Sequence, residues 1–218
     1  MRSLRAKIGL AVLTSTLAWV VAVPVSASAS EFKAAAYPAT LTGSQLAGER
    51  VQISFGTFGS VSCETATLSG SIAGASSEIT LHPVFGTCKG LGSEKATITT
   101  TGCNFKYHSG KLAGTLIWEG TLDNACESGK AIVVSAGNCE AELLGFNGHP
   151  EVELIDDGGL IMDVTTRYFF VTELPYTVTK DGFGCPFEGL ASYVDGVISG
   201  RQTITATSGG KQVSFFVE

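Results

Sequence analysis

The residues of this chain best able to do chemistry are six cysteines: Cys63, Cys88, Cys103, Cys126, Cys139 and Cys185. Thiolates bind metals or exchange disulfides most readily in C-x-x-C pairs or close to a histidine. Here no C-x-x-C occurs, and no histidine lies two to four residues from a cysteine. An even count behind an export-type leader points instead to structural disulfides, and six cysteines allow fifteen pairings. Residues that face each other across a hairpin are symmetric about its turn. Cys63 and Cys88 are symmetric about 75.5, inside Gly74-Ala-Ser-Ser77, and Cys103 and Cys126 about 114.5, at Gly114-Thr115. Cys139 is then left with Cys185, a long tie between the two halves of the chain. This is the preferred pattern, and each ring would stabilise by about 3–4 kcal/mol in the chain-entropy model.

Three histidines are the next candidates: His82, His108 and His149. A Ser-His-Asp hydrolase would need one of them, but the G-x-S-x-G elbow is absent. His82 and His108 read as ordinary strand or turn residues. His149 precedes Pro150-Glu-Val-Glu153, so Glu151 and Glu153 would share one strand face with it. Without H-E-x-x-H this reads as a solvated sheet face in preference to a metal site. Asp156-Asp157-Gly158-Gly159, with Asp163 beyond, could hold Ca²⁺, but the EF-hand spacing fails and a hairpin turn is the simpler reading. Carboxylate pairs of the glycosidase kind can be drawn in many ways among the twenty acids, and none is marked. Tyr107, Trp118, Tyr168, Phe169 and Phe170 could stack on sugars, and Trp118 reads more simply as a core or half-exposed residue. Phe215 and Phe216 must point to opposite faces of a strand, which hints at a contact surface or at assembly through residues 213–217. No catalytic, cofactor-binding or metal residue is assigned, and no cofactor is expected.

The elements that would position these residues are short alternating strands. Val51, Ile53 and Phe55 alternate with Gln52 and Ser54, the period-two signal of a half-buried strand. Similar segments follow at 37–42, 61–68, 78–85, 96–101, 103–108, 112–119, 121–126, 131–135 and 139–144. Beyond residue 150 come 152–155, 160–165, 167–172, 176–179, 191–193, 197–207 and 213–217. Ser109-Gly110 and Asp195-Gly196 read as breaks, the latter as a tight hairpin, and Gly137-Asn138 as another. Pro83 cannot donate to a ladder, so its strand should lie at an edge or carry a bulge. Ala39-Thr-Leu-Thr-Gly-Ser44 is faintly echoed by Ala66-Thr-Leu-Ser-Gly-Ser71. No helical period is sustained after the leader. The expected fold is all-β, an antiparallel, disulfide-stapled sandwich, the alternative being a barrel. The regions are a leader at 1–29, a cysteine-rich β region at 30–150 and a second β region at 151–218 packed with the first. They would form either one extended sandwich or two β units sharing an interface.

The ends and composition bound the setting. Arg2, Arg5 and Lys7 precede an apolar run from Ile8 to Val23, and Ala27-Ser28-Ala29 offers a signal-peptidase site. The run is 16 residues, short of the roughly 20 that span a bilayer. Cleavage after Ala29 would take the formal charge from −6 to −9, since three basic residues leave. Such an acidic chain is a poor partner for nucleic acid or anionic lipid. The expectation is an exported protein, secreted or associated with the cell surface, whose mature chain has no membrane span and whose partner is an unknown surface or extracellular ligand.

Four segments carry a family resemblance: Cys63-Glu-Thr-Ala-Thr-Leu68, Thr101-Gly-Cys-Asn-Phe105, Cys126-Glu-Ser-Gly-Lys-Ala-Ile132 and Tyr193-Val-Asp-Gly-Val-Ile-Ser-Gly200. Together with the leader they resemble exported β proteins of unknown function that occur in many copies in soil actinobacteria. The resemblance covers most of the mature chain and departs at residues 109–118, which are longer here. It implies export and an all-β fold and transfers no site residues. Two functions remain: a non-enzymatic structural or binding role at or near the cell surface, or a secreted hydrolase acting on polysaccharide or peptide.

Overall fold

The computed structural model describes residues 30–146, 151–156, 161–166 and 174–218. The expected leader, His149, Tyr168, Phe169, Phe170 and the turn at Asp157-Gly158-Gly159 lie outside the described residues. In chain order the strands are β1 Phe32–Ala34, β2 Ala39–Gln45, β3 Val51–Phe55, β4 Ser60–Ile72, β5 Glu78–Gly90, β6 Ser93–Thr99, β7 Cys103–Gly114 and β8 Ile117–Cys126. They continue with β9 Ile132–Ala136, β10 Cys139–Leu143, β11 Glu151–Asp156, β12 Ile161–Thr166, β13 Leu174–Asp181, β14 Ser192–Ser208, β15 Lys211–Val213 and β16 Phe215–Val217. The one helical element described is a 3₁₀ turn at Gly56–Phe58, and no described helix is long and apolar enough to cross a membrane. The fold is all-β, antiparallel and disulfide-stapled, as the alternating pattern implies.

The strands pair into two closed circuits. In the first, β2, β4, β5, β7, β8, β11, β12 and β14 each pair with the next, and β14 returns to β2. In the second, β3, β4, β5, β6, β9, β10, β13 and β14 do the same, and β14 returns to β3. The molecule is therefore a pair of eight-stranded barrels that share β4, β5 and β14. Closure leaves these strands no open edge along the circuits, which removes the usual site of edge-to-edge aggregation. Both circuits contain strands from either side of residue 150, joined as β8 to β11 in the first and β10 to β13 in the second.

Sharing requires long strands, and it sets how β4 and β5 are used. Their pairing keeps one register from Val61↔Gly90 to Gly70↔Leu81. Successive side chains alternate faces, so the buried set should keep one parity. It does not: Val61, Cys63 and Cys88 are buried in the second barrel, whereas Ala66, Leu68, Leu81 and Ile79 are buried in the first. The β4–β5 ribbon thus gives one face to one core and the opposite face to the other. Val84, across from Thr67, falls just past the changeover and is left 52% exposed. Pro83 lies in the interval where β5 has finished pairing with β7 at Leu81 and has not yet met β6 at Cys88. Its missing N–H falls where one side of the strand has no ladder partner, and Thr100 Oγ1 donates to its carbonyl at 2.7 Å.

Two expected breaks are corrected. Asp195-Gly196 is not a hairpin turn, because β14 continues through it with a register shift against β13 at this point. A Cβ at Gly196 would lie 2.9 Å from the Leu174 carbonyl oxygen and 3.2 Å from the Tyr176 ring. The glycine permits close packing across β13 where a turn was expected. Ser109-Gly110 does not end a strand either. β7 continues to Gly114 with register shifts between His108 and Lys111 and between Leu112 and Gly114. The reversal comes at Thr115-Leu116, inside the 112–119 segment expected as a strand. The Gly137-Asn138 turn is as expected, with Ala136 facing Cys139. The two echoed segments are antiparallel neighbours, with Thr40 facing Ser71 and Ser44 facing Thr67.

The three disulfides follow the preferred pattern: Cys63–Cys88, Cys103–Cys126 and Cys139–Cys185. The first two join directly opposed residues of β4–β5 and β7–β8. The termini form a separate two-stranded ribbon, β1 with β16. Phe215 is fully buried and its ring stacks on Phe32 with centroids 6.1 Å apart, while Phe216, on the other face, is half-buried.

Candidate functional site

The chemistry-bearing side chains meet in one place, on the outer face of the first barrel where β5, β7 and β8 lie side by side. Period-two alternation turns Ile79, Leu81, Phe105, Tyr107 and Leu122 inward. The same alternation must turn Glu78, His82, Asn104, Lys106, His108 and Asp123 outward. Glu78 faces His108 in the β5–β7 pairing, and Lys106 faces Asp123 in the β7–β8 pairing. His108 Nε2 lies 2.8 Å from Asp123 Oδ2, and its Nδ1 lies 3.8 Å from Glu78 Oε2. Lys106 Nζ sits 3.1 Å from Glu78 Oε1. His82 Nδ1 is 3.3 Å from Asn104 Oδ1 on the same face.

In a nucleophilic triad one imidazole nitrogen meets the carboxylate and the other meets the hydroxyl to be deprotonated. Here both nitrogens of His108 face carboxylates, which is the geometry of an ion-pair cluster. His108 and Lys106 are each about one-third exposed, so screening by water keeps such pairs weak. Among the described residues no group of three or more His, Cys, Asp or Glu is arranged to hold a metal ion.

Other concave features are shallow. At the waist between the barrels the 46–50 loop and β4 border a cleft of about 450 Å³ lined by Ser44, Glu49, Arg50, Glu64 and Thr67 among others. Gln45 braces the loop by donating to the carbonyls of Glu49 and Glu64. Arg50 and Glu64 flank the cleft 4.0 Å apart.

Buried side chains of the described residues line the barrel interiors. In the first, the Tyr107 hydroxyl donates to Gln202 Oε1 at 3.4 Å. In the second, Phe55, Phe58, Tyr176, Phe187 and Tyr193 form a continuous aromatic cluster with edge-on and stacked contacts. The Tyr176 hydroxyl donates to Asp195 Oδ1 at 3.1 Å. Burial drives the pKa of both phenols well above the usual range, and for Tyr176 the Asp195 carboxylate adds to that. Trp118 is buried and Tyr107 fully so, which removes both from the sugar-stacking candidates.

Five of the exposed apolar groups stand at two tips. The 182–191 loop of the second barrel is pinned by Cys185 to Cys139, and by the Gly182 N–H donating to the Asn138 carbonyl at 3.1 Å. Asn138 Nδ2 donates to the Phe183 carbonyl at 3.3 Å. The Phe183 side chain on this braced loop is 100% exposed, and Leu190 and Val194 further along the segment are also exposed. In the first barrel, Leu112 and Leu116 are exposed at the end of the β7–β8 hairpin. Sequence reasoning passed over all five, because an apolar residue in a loop signals exposure only once its neighbours are known not to cover it. No protein-family model, curated protein or solved structure matches the chain.

Proposed function

We propose that the protein is an exported, non-enzymatic binding or structural protein that acts at or near the cell surface. The observation that carries this reading is Phe183, a fully exposed aromatic on a loop braced by a disulfide and by Asn138. Aromatic anchors held rigid before contact bind at low entropic cost, and exposed aromatics are enriched at interfaces. Three disulfides suit an oxidising compartment outside the cytoplasm, and the leader residues Arg2 to Ala29 fit export. The test is fractionation of native cells with a photo-crosslinker placed at position 183. Recovery with the surface fraction, joined to a partner through that position, is the expected result. Protein free in the medium with no crosslinked product would sink the reading.

One observation favours a secreted hydrolase as the second reading: the 2.8 Å contact between His108 and Asp123, a base held by a carboxylate. In a broad screen against polysaccharides and peptides, any turnover that belongs to this site should fall at least about a hundredfold in H108Q. Turnover untouched by that change rules out His108.

A further inference from the structure

The aromatic rings clustered in the second barrel differ in how their backbones are held. Phe55, Tyr176 and Tyr193 stand on β3, β13 and β14. Phe58 stands on the 3₁₀ turn that the Phe55 N–H closes by donating to the Gly59 carbonyl at 2.8 Å. Phe187 comes from the 182–191 loop, which has no regular structure, and it is the one buried side chain of that loop. Its ring meets Phe55 and Phe58 edge-on, with centroids 5.7 and 5.5 Å apart, and lies 6.4 Å from Tyr176. Phe55 and Tyr176 are fully buried, whereas Phe58 and Tyr193 are half-buried. The cluster therefore reaches from the surface into the barrel, and the Phe187 ring touches both its buried and its half-buried members.

The backbone that carries this ring is tied on one side. Up to Cys185 the loop is pinned by the disulfide to Cys139 and by the bonds that Gly182 and Phe183 make to Asn138. Beyond that point, among the described residues, no backbone group from Pro186 to Leu190 is hydrogen-bonded to another. The next tie is at Ala191, whose carbonyl accepts from the Val178 N–H at 2.8 Å. Backbone groups without protein partners are satisfied by water, and a segment with one buried side chain and no backbone bonds opens at low free energy. Gly189 sits at φ 100°, and a Cβ added there would meet nothing within 4 Å. Close packing does not account for this glycine, so its role is conformational: it turns the chain just past the ring, as a hinge residue does. Phe187 is thus a plug on the arm 186–189, between a fixed point at Cys185 and a hinge at Gly189.

The mouths of β-barrels are a preferred setting for small-molecule sites with aromatic walls. The plug shows what this mouth accepts, a planar apolar ring in edge-on contact with two phenylalanines. Glu188 follows Phe187, and Asp195 accepts from the Tyr176 hydroxyl. Both carboxylates are exposed, so a neutral ring suits the mouth better than an anionic one.

We infer that the mouth of the second barrel is a binding site for a small neutral aromatic molecule, which takes the seat of the Phe187 ring when residues 186–189 swing out. Phe187 acts as a built-in competitor that keeps the site closed in the free protein. The site is separate from the contact proposed through Phe183, which precedes the pinned point at Cys185.

The test uses the disulfide-bonded chain with 4-fluorophenylalanine at position 187 and p-cresol as the ring. Titration should move the fluorine resonance from a buried to a solvent-exposed position and should saturate. F187A removes the competitor and should bind p-cresol at least about tenfold more tightly by calorimetry, because a closed form that dominates the free protein weakens the apparent affinity in proportion. 4-Methylbenzoate, the same ring with a negative charge, should bind more weakly than p-cresol. No binding by the wild-type chain overturns the inference even where F187A binds, because the ring is then fixed core. Binding that leaves the fluorine resonance in place overturns it too, since the ligand then sits elsewhere. So does equal affinity of F187A and the wild type, or 4-methylbenzoate binding as well as p-cresol. If F187A fails to fold, the fluorine titration decides by itself. Crosslinking through position 183 in cells without p-cresol binding removes this site and leaves the surface reading intact. Binding of p-cresol by a protein that cells release freely supports the site and removes the surface role.

Discussion

The two barrels share three strands and are held in different ways. The first has a largely aliphatic interior with one buried hydroxyl–amide pair, Tyr107 with Gln202. Its circuit closes between residues very distant in sequence: Thr42 and Thr205 touch across β2 and β14 at 3.0 Å. The second has an interior of interlocked aromatics and carries two of the three disulfides, Cys63–Cys88 and Cys139–Cys185. All three ties lie inside the loops that both circuits close, 42–205 and 55–196, so they shorten both, and the second barrel differs in carrying two of them. Because β4, β5 and β14 belong to both, loss of one barrel removes a wall of the other. The pair should therefore behave as one cooperative unit despite the contrast in their interiors.

The largest test of that contrast is Phe55→Ala. Phe55 is fully buried and contacts Tyr176 and Phe187 at 5.0 and 5.7 Å between ring centroids. The loss should be about 3–5 kcal/mol in denaturant unfolding. Trp118 fluorescence reports the first barrel, and tyrosine dichroism read in a Y107F background reports the second through the stacked Tyr176 and Tyr193. Both midpoints should move together, and a Trp118 midpoint that stays in place would show that the barrels unfold separately.

Removing Cys139–Cys185 by paired alanines should cost about 4 kcal/mol, and removing Cys103–Cys126 about 3.5, because the rings span 46 and 23 residues. The same denaturation experiment reads both. Equal losses, or a larger one for the first barrel's tie, would break the view that the second barrel depends more on its sulfur.

A smaller effect separates the two buried tyrosines. Tyr107 and Tyr176 are both held protonated by burial, with pKa values raised above the ordinary phenol range. Below about pH 10 the folded and unfolded chains both keep these protons, so stability is unaffected. Above it the unfolded chain releases them first, and stability falls as pH rises, by up to about 1.4 kcal/mol per pH unit for each tyrosine. Y107F and Y176F should each flatten that fall in alkaline unfolding curves. If Y176F alone does so, the first barrel's phenol is not sealed from water.

Much of this was legible in the chain. Alternation at Val51-Gln-Ile-Ser-Phe55 and its counterparts marks the strands because a pleated backbone turns successive side chains to opposite faces. The symmetry of Cys63 with Cys88 and of Cys103 with Cys126 gave their partners, since antiparallel ladders place residues by simple reflection about the turn. The ion-pair cluster was only half visible: His108 stood out and Asp123 follows from the reflection that pairs Cys103 with Cys126, but Glu78 joins through the β5–β7 pairing, which no local pattern encodes. Asp195-Gly196 misled because the dipeptide that favours a tight turn also lets Leu174 and Tyr176 pack closely against a continuous strand where its register shifts.

What the amino-acid sequence determined alone is what depends on near neighbours: strand periodicity, local hairpins and two of the disulfides. What only the tertiary structure decided is which strand completes which circuit. The closing pairs, β14 with β2, β3 and β12, join distant segments through backbone hydrogen bonds that are alike for every residue type. Such bonds carry no side-chain signature, so the double barrel, the reversed faces of the β4–β5 ribbon and the two exposed apolar tips emerge only when the whole chain has closed.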